Sequence, residues 1–307
     1  MPYKIHNSMP NKLGATMMLV TLAVGIGPAL AAPGFTFLQI GVGAREGAMG
    51  GVGAALSQGP AAAYFNPANL AMGDRGGALL MLNRHFADIT SQYAAVTARS
   101  GPWAFTPHYL GTTVPDIELR DRPSQEPIAL FDSRNAALGL SIGHRLPLGL
   151  HAGVTVNYLW EKIYTESSDA WAFDFGALWI PPFTGLRLGA AIQNIGKASK
   201  FVAESPDLPM LFRGGASFKR LFGPIGSATV AADWVAVKDQ SPEQRFGVEL
   251  ATLQILRLRG GFVSGVEATQ FTAGFGLAYK GFQFDYAYVP FREHLGEGHR
   301  FAFGVEL

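Results

Sequence analysis

The chain has 307 residues, with 24 Lys+Arg against 23 Asp+Glu for a formal charge of +1, a balance that excludes an electrostatic nucleic-acid binder with a basic stripe. It contains no Cys, which excludes a disulfide framework, a thiolate metal site, a Cys nucleophile and a lipoprotein-type anchor. Charged residues make up 15%, well below the roughly 25% of soluble domains, and 38 glycines and 12% aromatics suit a sheet with one face in lipid.

Residues 1–31 read as a cleaved secretory signal peptide. Lys4 and Lys12 give a positive start, Leu13 to Gly27 an apolar run, and Ala29-Leu30-Ala31 the small residues of a cleavage site. The run is shorter than the ~20 apolar residues a spanning helix needs. Residues 32–77 are not strand-like. Gly41, Gly43, Gly47, Gly50, Gly51 and Gly53 break the segment up, and Tyr64-Phe65-Asn66-Pro67-Ala68-Asn69-Leu70 follows an Ala-rich patch. It reads as compact loop with short helical turns, small enough to fold in a confined space.

From 78 to 307 the texture changes to strands. Fourteen candidates fall near 78–86, 91–99, 102–110, 134–145, 148–162, 169–180, 185–195, 208–218, 225–236, 243–252, 255–264, 270–279, 281–290 and 299–307. Side chains on a strand alternate between its faces. Leu150, Ala152, Val154, Val156, Tyr158 and Trp160 share one face, as do Trp171, Phe173, Phe175, Ala177 and Trp179. Phe282, Phe284, Tyr286 and Tyr288 do the same near the end, and Phe301, Phe303, Val305 and Leu307 carry the pattern to the last residue. Many candidates exceed the ~5–6 residues of soluble strands and match the ~9–11 of a tilted transmembrane strand. Short connections (147, 181–184, 280–281) contrast with longer polar ones (111–133, 197–207, 291–298), the pattern of bacterial outer-membrane barrels with their even strand numbers. The prediction is an all-β fold: a fourteen-stranded antiparallel transmembrane β-barrel in the bacterial outer membrane, with lipid as its first partner. Its last strand should pair with the strand near Ala78.

Asp174, Arg187, Asp233, Arg245, Glu249, Arg257, Arg259, Asp285, Arg300 and Glu306 fall on the polar faces. In a barrel these point to the lumen, where opposite charges pair with each other or guide a substrate. The stretch from Gly41 to Gly47 lacks the βαβ context of a dinucleotide site, so its glycines read as close backbone packing. The histidines (His85, His108, His144, His151, His294 and His299 after residue 31) show no metal-ligand spacing, and no nucleophile arrangement is legible. No cofactor and no enzymatic activity are expected.

Several stretches together resemble the PorV/PorQ-type family of outer-membrane proteins, relatives of the FadL long-chain fatty-acid transporters. They are Phe37 to Arg45, Gly47 to Gly53, Ala62 to Ala68, Phe86 to Ile89, Leu188 to Gly196 and Phe282 to Phe291, the last followed by Gly298-His299-Arg300-Phe301. The resemblance implies a barrel whose N-terminal segment folds inside as a plug, or hatch, containing Asn66, Pro67 and Ala68. The domain division is then 1–31 signal peptide, 32–77 hatch and 78–307 barrel. Asn69 stands where a Gly commonly follows that triplet, and Leu307 where a terminal Phe is usual. The resemblance implies one of two functions, or a role still unassigned, as for many members of the family. A PorV-like accessory of type IX-like secretion would have secretion-machinery or secreted proteins as partners. A FadL-like carrier would take a hydrophobic ligand through a continuous apolar pocket with a lateral opening in the wall.

Overall fold

A computed structural model of the chain describes residues 34–120, 122, 126–200, 205–252, 255–265, 270–291 and 296–307. The expected signal peptide and His294 lie outside the described residues. Fourteen strands follow in order: β1 (Gly77–Arg84), β2 (Thr90–Ser100), β3 (Trp103–Leu119), β4 (Ala129–Arg145), β5 (Leu150–Ile163), β6 (Glu166–Trp179) and β7 (Leu186–Ala198). Then come β8 (Leu211–Leu221), β9 (Gly226–Val237), β10 (Glu243–Thr252), β11 (Leu256–Ser264), β12 (Phe271–Tyr279), β13 (Phe282–Pro290) and β14 (Glu297–Glu306). Each pairs antiparallel with its neighbours in sequence, and β14 returns to β1 with Gly77 opposite Glu306 and Arg84 opposite His299, closing the barrel as predicted. Closure leaves the wall without a free edge, the one way a sheet can sit in hydrocarbon.

The alternation read from the sequence sorts the two faces. On β6, Trp171, Phe173, Phe175 and Trp179 are exposed while Ala172, Asp174 and Leu178 are buried. Exposed Trp103, Trp179 and Tyr279 lie toward one rim, and exposed Trp171 and Trp234 nearer the other. These are the positions of two aromatic girdles around an apolar belt. One rim carries the turns 101–102, 146–149 and 280–281 and the junction of Leu307 with Gly76. The opposite rim carries the longer connections 120–128, 199–210 and 291–296.

The expected 111–133 loop is a correction. β3 runs on to Leu119 and β4 begins at Ala129, so most of that stretch is a two-stranded ribbon. Past Thr113 the ribbon has no partner in β2, so it projects beyond the wall. Thr112, Thr113, Val114 and Ile117 are β-branched and favour extended backbone. A register shift between Val114 and Ile117, with Asp116 at φ 55, bends it. Within the wall, Pro107 has no N–H to give, and the β2–β3 ladder skips from the pair Ala95–His108 to Ala98–Phe105. The Thr97 and Thr106 hydroxyls, 2.9 Å apart, hold the two strands together across that gap.

Residues 34–76 contain α1 (Ala44–Ala48), α2 (Ala62–Phe65) and single 3-10 turns at Thr36–Gln39, Gly59–Ala61 and Pro67–Ala71, with no strand among them. Phe35, Phe37, Leu38, Val42 and Phe65 form one apolar cluster with inward-facing Tyr93, Leu110, Leu159 and Val289 of the wall. The segment is therefore packed on the barrel's inner face by small and apolar side chains.

Candidate functional site

Three glycines stand directly opposite one another on adjacent strands: Gly143 of β4, Gly153 of β5 and Gly176 of β6. They make a floor without side chains, and Asn66-Pro67-Ala68 lies on it. A Cβ on Gly153 would sit 2.3 Å from the Pro67 carbonyl carbon, and one on Gly176 would sit 2.0 Å from Asn66 Oδ1. Asn66 is the N-cap of the Pro67–Ala71 turn: its Oδ1 accepts from Ala68 N at 3.1 Å. Its Nδ2 donates to Ala54 O at 2.8 Å and to Ala177 O at 3.0 Å, tying the turn to the segment and to the wall. Asn69, set where a Gly is usual, is fully buried and donates to the carbonyls of Gly53 and Ala54. Its φ is not positive, so the turn needs no glycine there. A second glycine pair, Gly247 opposite Gly261, receives the backbone at Met49 and Gly50 in the same way.

The predicted polar residues divide into separate groups. Glu249, Arg259 and Asp285 come together in a buried chain with Arg45 of α1, which sequence reasoning did not single out. Arg45 Nη2 and Nε donate to Glu249 at 2.9 Å each, Arg259 Nε donates to Glu249 Oε2 at 2.7 Å, and Arg259 Nη1 donates to Asp285 Oδ1 at 2.7 Å. Asp233 accepts from the backbone N–H of Gly53 at 2.7 Å and Ala54 at 2.9 Å, with Arg213 at 3.4 Å. Arg213 was missed as well; its guanidinium also lies 5.1 Å from the centre of the Phe65 ring. Arg300 donates to Ile40 O at 2.7 Å, Arg245 pairs with Glu243 at 2.6 Å, and Glu306 pairs with exposed Arg75 at 3.2 Å. Asp174 stands apart. It accepts from Asn157 Nδ2 at 3.0 Å and from Asn194 N at 2.7 Å. Asn194, at φ 61, is the extra residue of a β-bulge in β7 opposite Asp174. Arg187 and Arg257 join none of these groups.

Two cavities flank the segment. One of about 530 Å³ faces the short-turn rim, lined by Arg45, Glu46, Arg99, Arg187, Lys219 and Arg257 among others. The other, about 30 Å³, lies beside Leu38, Tyr64, Tyr93, His108, Asn157 and Asp174. Neither is the continuous apolar pocket expected of a carrier; the first is a charged chamber and the second has room for little more than a water.

At the long-loop rim, His85, Phe86 and Phe291 stack with ring centres 4.6–5.0 Å apart. Burial, and after it the Arg300 guanidinium, hold the His85 imidazole down to about 4. The ordinary value is about 6.5, so folding favours the neutral ring. The stability this cluster adds is full above about pH 6.5 and lost as pH falls toward 4. The His85 Cε1 proton shift should titrate with a midpoint well below 6, and protease protection of the 85–89 turn should fall over the same range. A midpoint near 6.5 would show that the ring is not buried.

No family model and no curated protein sequence matches the chain. Solved structures do. A TodX monoaromatic hydrocarbon channel with a deltaS2S3 mutation superposes with TM-score 0.60 at 13% identity, covering 87% of this chain and 98% of that one. The CymD monoaromatic hydrocarbon channel gives 0.58 at 13% identity, covering 90% and 98%. The Ralstonia pickettii toluene transporter TbuX gives 0.56 at 19% identity, covering 87% and 97%. The likeness is one of fold: this chain superposes on these hydrocarbon channels and this toluene transporter over nearly their whole lengths.

Proposed function

We propose that the protein is an outer-membrane channel for hydrophobic small molecules, with residues 32–77 as its hatch. The observation that carries this reading is how the segment is held. Up to Gly76 its described residues contribute no strand to the wall, Gly77 being the first residue of β1, and they rest on glycine floors, apolar contacts and side-chain hydrogen bonds. Its movement would break no ladder bond, so the lumen can open while the barrel stays closed. The shared fold with proteins named as hydrocarbon and toluene channels supports the substrate class. It favours this reading over the secretion accessory, which the missing continuous apolar pocket would suit.

The direct test is uptake of radiolabelled toluene by cells carrying this protein as their one hydrophobic-uptake barrel, against cells carrying an empty vector. Faster uptake is expected. Equal uptake, with a secreted protein co-purifying from native outer membranes, would replace the channel with the secretion accessory.

A further inference from the structure

We propose that the 530 Å³ chamber at the short-turn rim is an oxyanion site, formed by Arg187, Lys219 and Arg257 with the Thr229 hydroxyl beside them. The other charged groups around the chamber are already engaged, Lys280 by the Tyr279 ring, whose centre is 5.2 Å from its ammonium. Arg45 holds Glu249, Arg75 holds Glu306, and Glu46 accepts from Ser57 at 2.8 Å. Arg99 donates to the carbonyls of Leu70, Met72 and Arg75, and Asp74 pairs with Arg145 at 2.9 Å. Asp285 is taken by Arg259.

Arg187, Lys219 and Arg257 remain. No carboxylate of the described residues lies within 4 Å of any of them, and none donates a hydrogen bond to a described residue. Arg257 Nη1 is out of contact with solvent and has no acceptor. The register explains why they face one space: Arg187 of β7 is opposite Ser217, Lys219 of β8 is opposite Thr229, and Arg257 of β11 lies one inward position from Arg259. Adjacent strands are ~4.8 Å apart, so long side chains from β7, β8 and β11 can lean into one chamber from a curved wall. Arg45, Arg187 and Arg257 all act electrostatically on the Lys219 ammonium, with the Glu249 carboxylate acting against them. Glu249 and Asp285 also line the chamber, but each already holds a guanidinium, so half-buried Arg187 and Arg257 with exposed Lys219 leave an excess of positive charge that an anion would offset. Guanidinium forks fit the paired oxygens of a carboxylate or phosphate. The ligand is therefore a free inorganic oxyanion or the acidic end of a small hydrophobic molecule, and the second form rests on the channel reading.

The test is calorimetric binding to the full protein in nanodiscs at fixed ionic strength, since salt screens the site. The probes are inorganic phosphate, benzoate, and toluene as benzoate's uncharged counterpart. If phosphate binds and competes with benzoate, the site takes a bare oxyanion. If benzoate binds at least tenfold more tightly than toluene and phosphate does not compete, it takes a hydrophobic acid. Either result supports the site, provided K219Q/R257Q weakens binding at least tenfold and K219R/R257K retains it. R187Q substitutes if the double variant does not fold by heat-modifiable migration. Benzoate binding no tighter than toluene with no phosphate binding, or an unaffected K219Q/R257Q, overturns it. Toluene uptake that persists in K219Q/R257Q would leave the channel standing while the anion site falls.

Discussion

Gly153→Val should free the N-terminal segment from the wall while the barrel stays closed. Valine suits a strand, so β5 itself gains nothing to resist. The clash is with the segment: the new Cβ meets the Pro67 carbonyl carbon at 2.3 Å and Ala68 N at 2.4 Å. Those are backbone atoms, and they cannot slide aside cheaply. Asn66 ties them to Ala54 O and Ala177 O, while Gly143 and Gly176 bring the neighbouring strands equally close. Overpacking of this kind costs about 1–3 kcal/mol and falls on the Asn66–Ala71 turn, which no ion pair holds to the wall. Gly260→Val is the control, because a Cβ there meets nothing within 4 Å. Both variants should keep heat-modifiable migration, the mark of an intact barrel. Only Gly153→Val should show steady ion conductance in planar bilayers and rapid tryptic cleavage after Arg45. If the two variants behave alike, the glycine floor does not hold the segment and the hatch reading loses its mechanical basis.

The wall was legible in the sequence because lipid accepts only one kind of face. Trp171, Phe173 and Phe175 against Ala172 and Asp174 show it on β6, and the same logic sets strand number and closure. What sat on the inner face was legible only in part. Asp174, Asp233, Glu249 and Asp285 could be placed inward by alternation, but their partners could not, since Arg45 lies 204 positions from Glu249. Arg213 sat among apolar neighbours and carried no local signal, although a lone Arg inside an otherwise apolar strand is the kind of residue that needs a buried acceptor. The glycines at 143, 153 and 176 were visible as residues but not as a floor, because that depends on register across three strands. The β3–β4 ribbon was missed for a different reason. Asp116, Pro115 and the charged Glu118 and Arg120 masked a β-branched run that pairs without help from the wall.

Glu249→Gln should be strongly destabilising. Glu249 takes both oxygens' worth of bonding from two guanidiniums, and the side chains of Arg259 and Glu249 are 0% and 7% exposed. With the carboxylate neutralised, Arg259 keeps only Asp285, and Arg45 keeps no ion-pair partner within 4 Å among the described residues. Removing one member of a buried pair costs about 3–5 kcal/mol, chiefly from the charge left behind. Arg45→Gln should cost less, because Glu249 then still has Arg259 at 2.7 Å. The two changes together should cost less than their sum, since the double variant leaves no stranded Arg45. Urea midpoints of the barrel refolded into lipid vesicles read the wall, and tryptic cleavage of residues 34–76 reads the segment. Arg45→Gln should move the second readout more than the first, and Glu249→Gln should move both. A Glu249→Gln variant no less stable than Arg45→Gln would show that the chain of four charges is solvated, and that the segment is held by packing and its other hydrogen bonds.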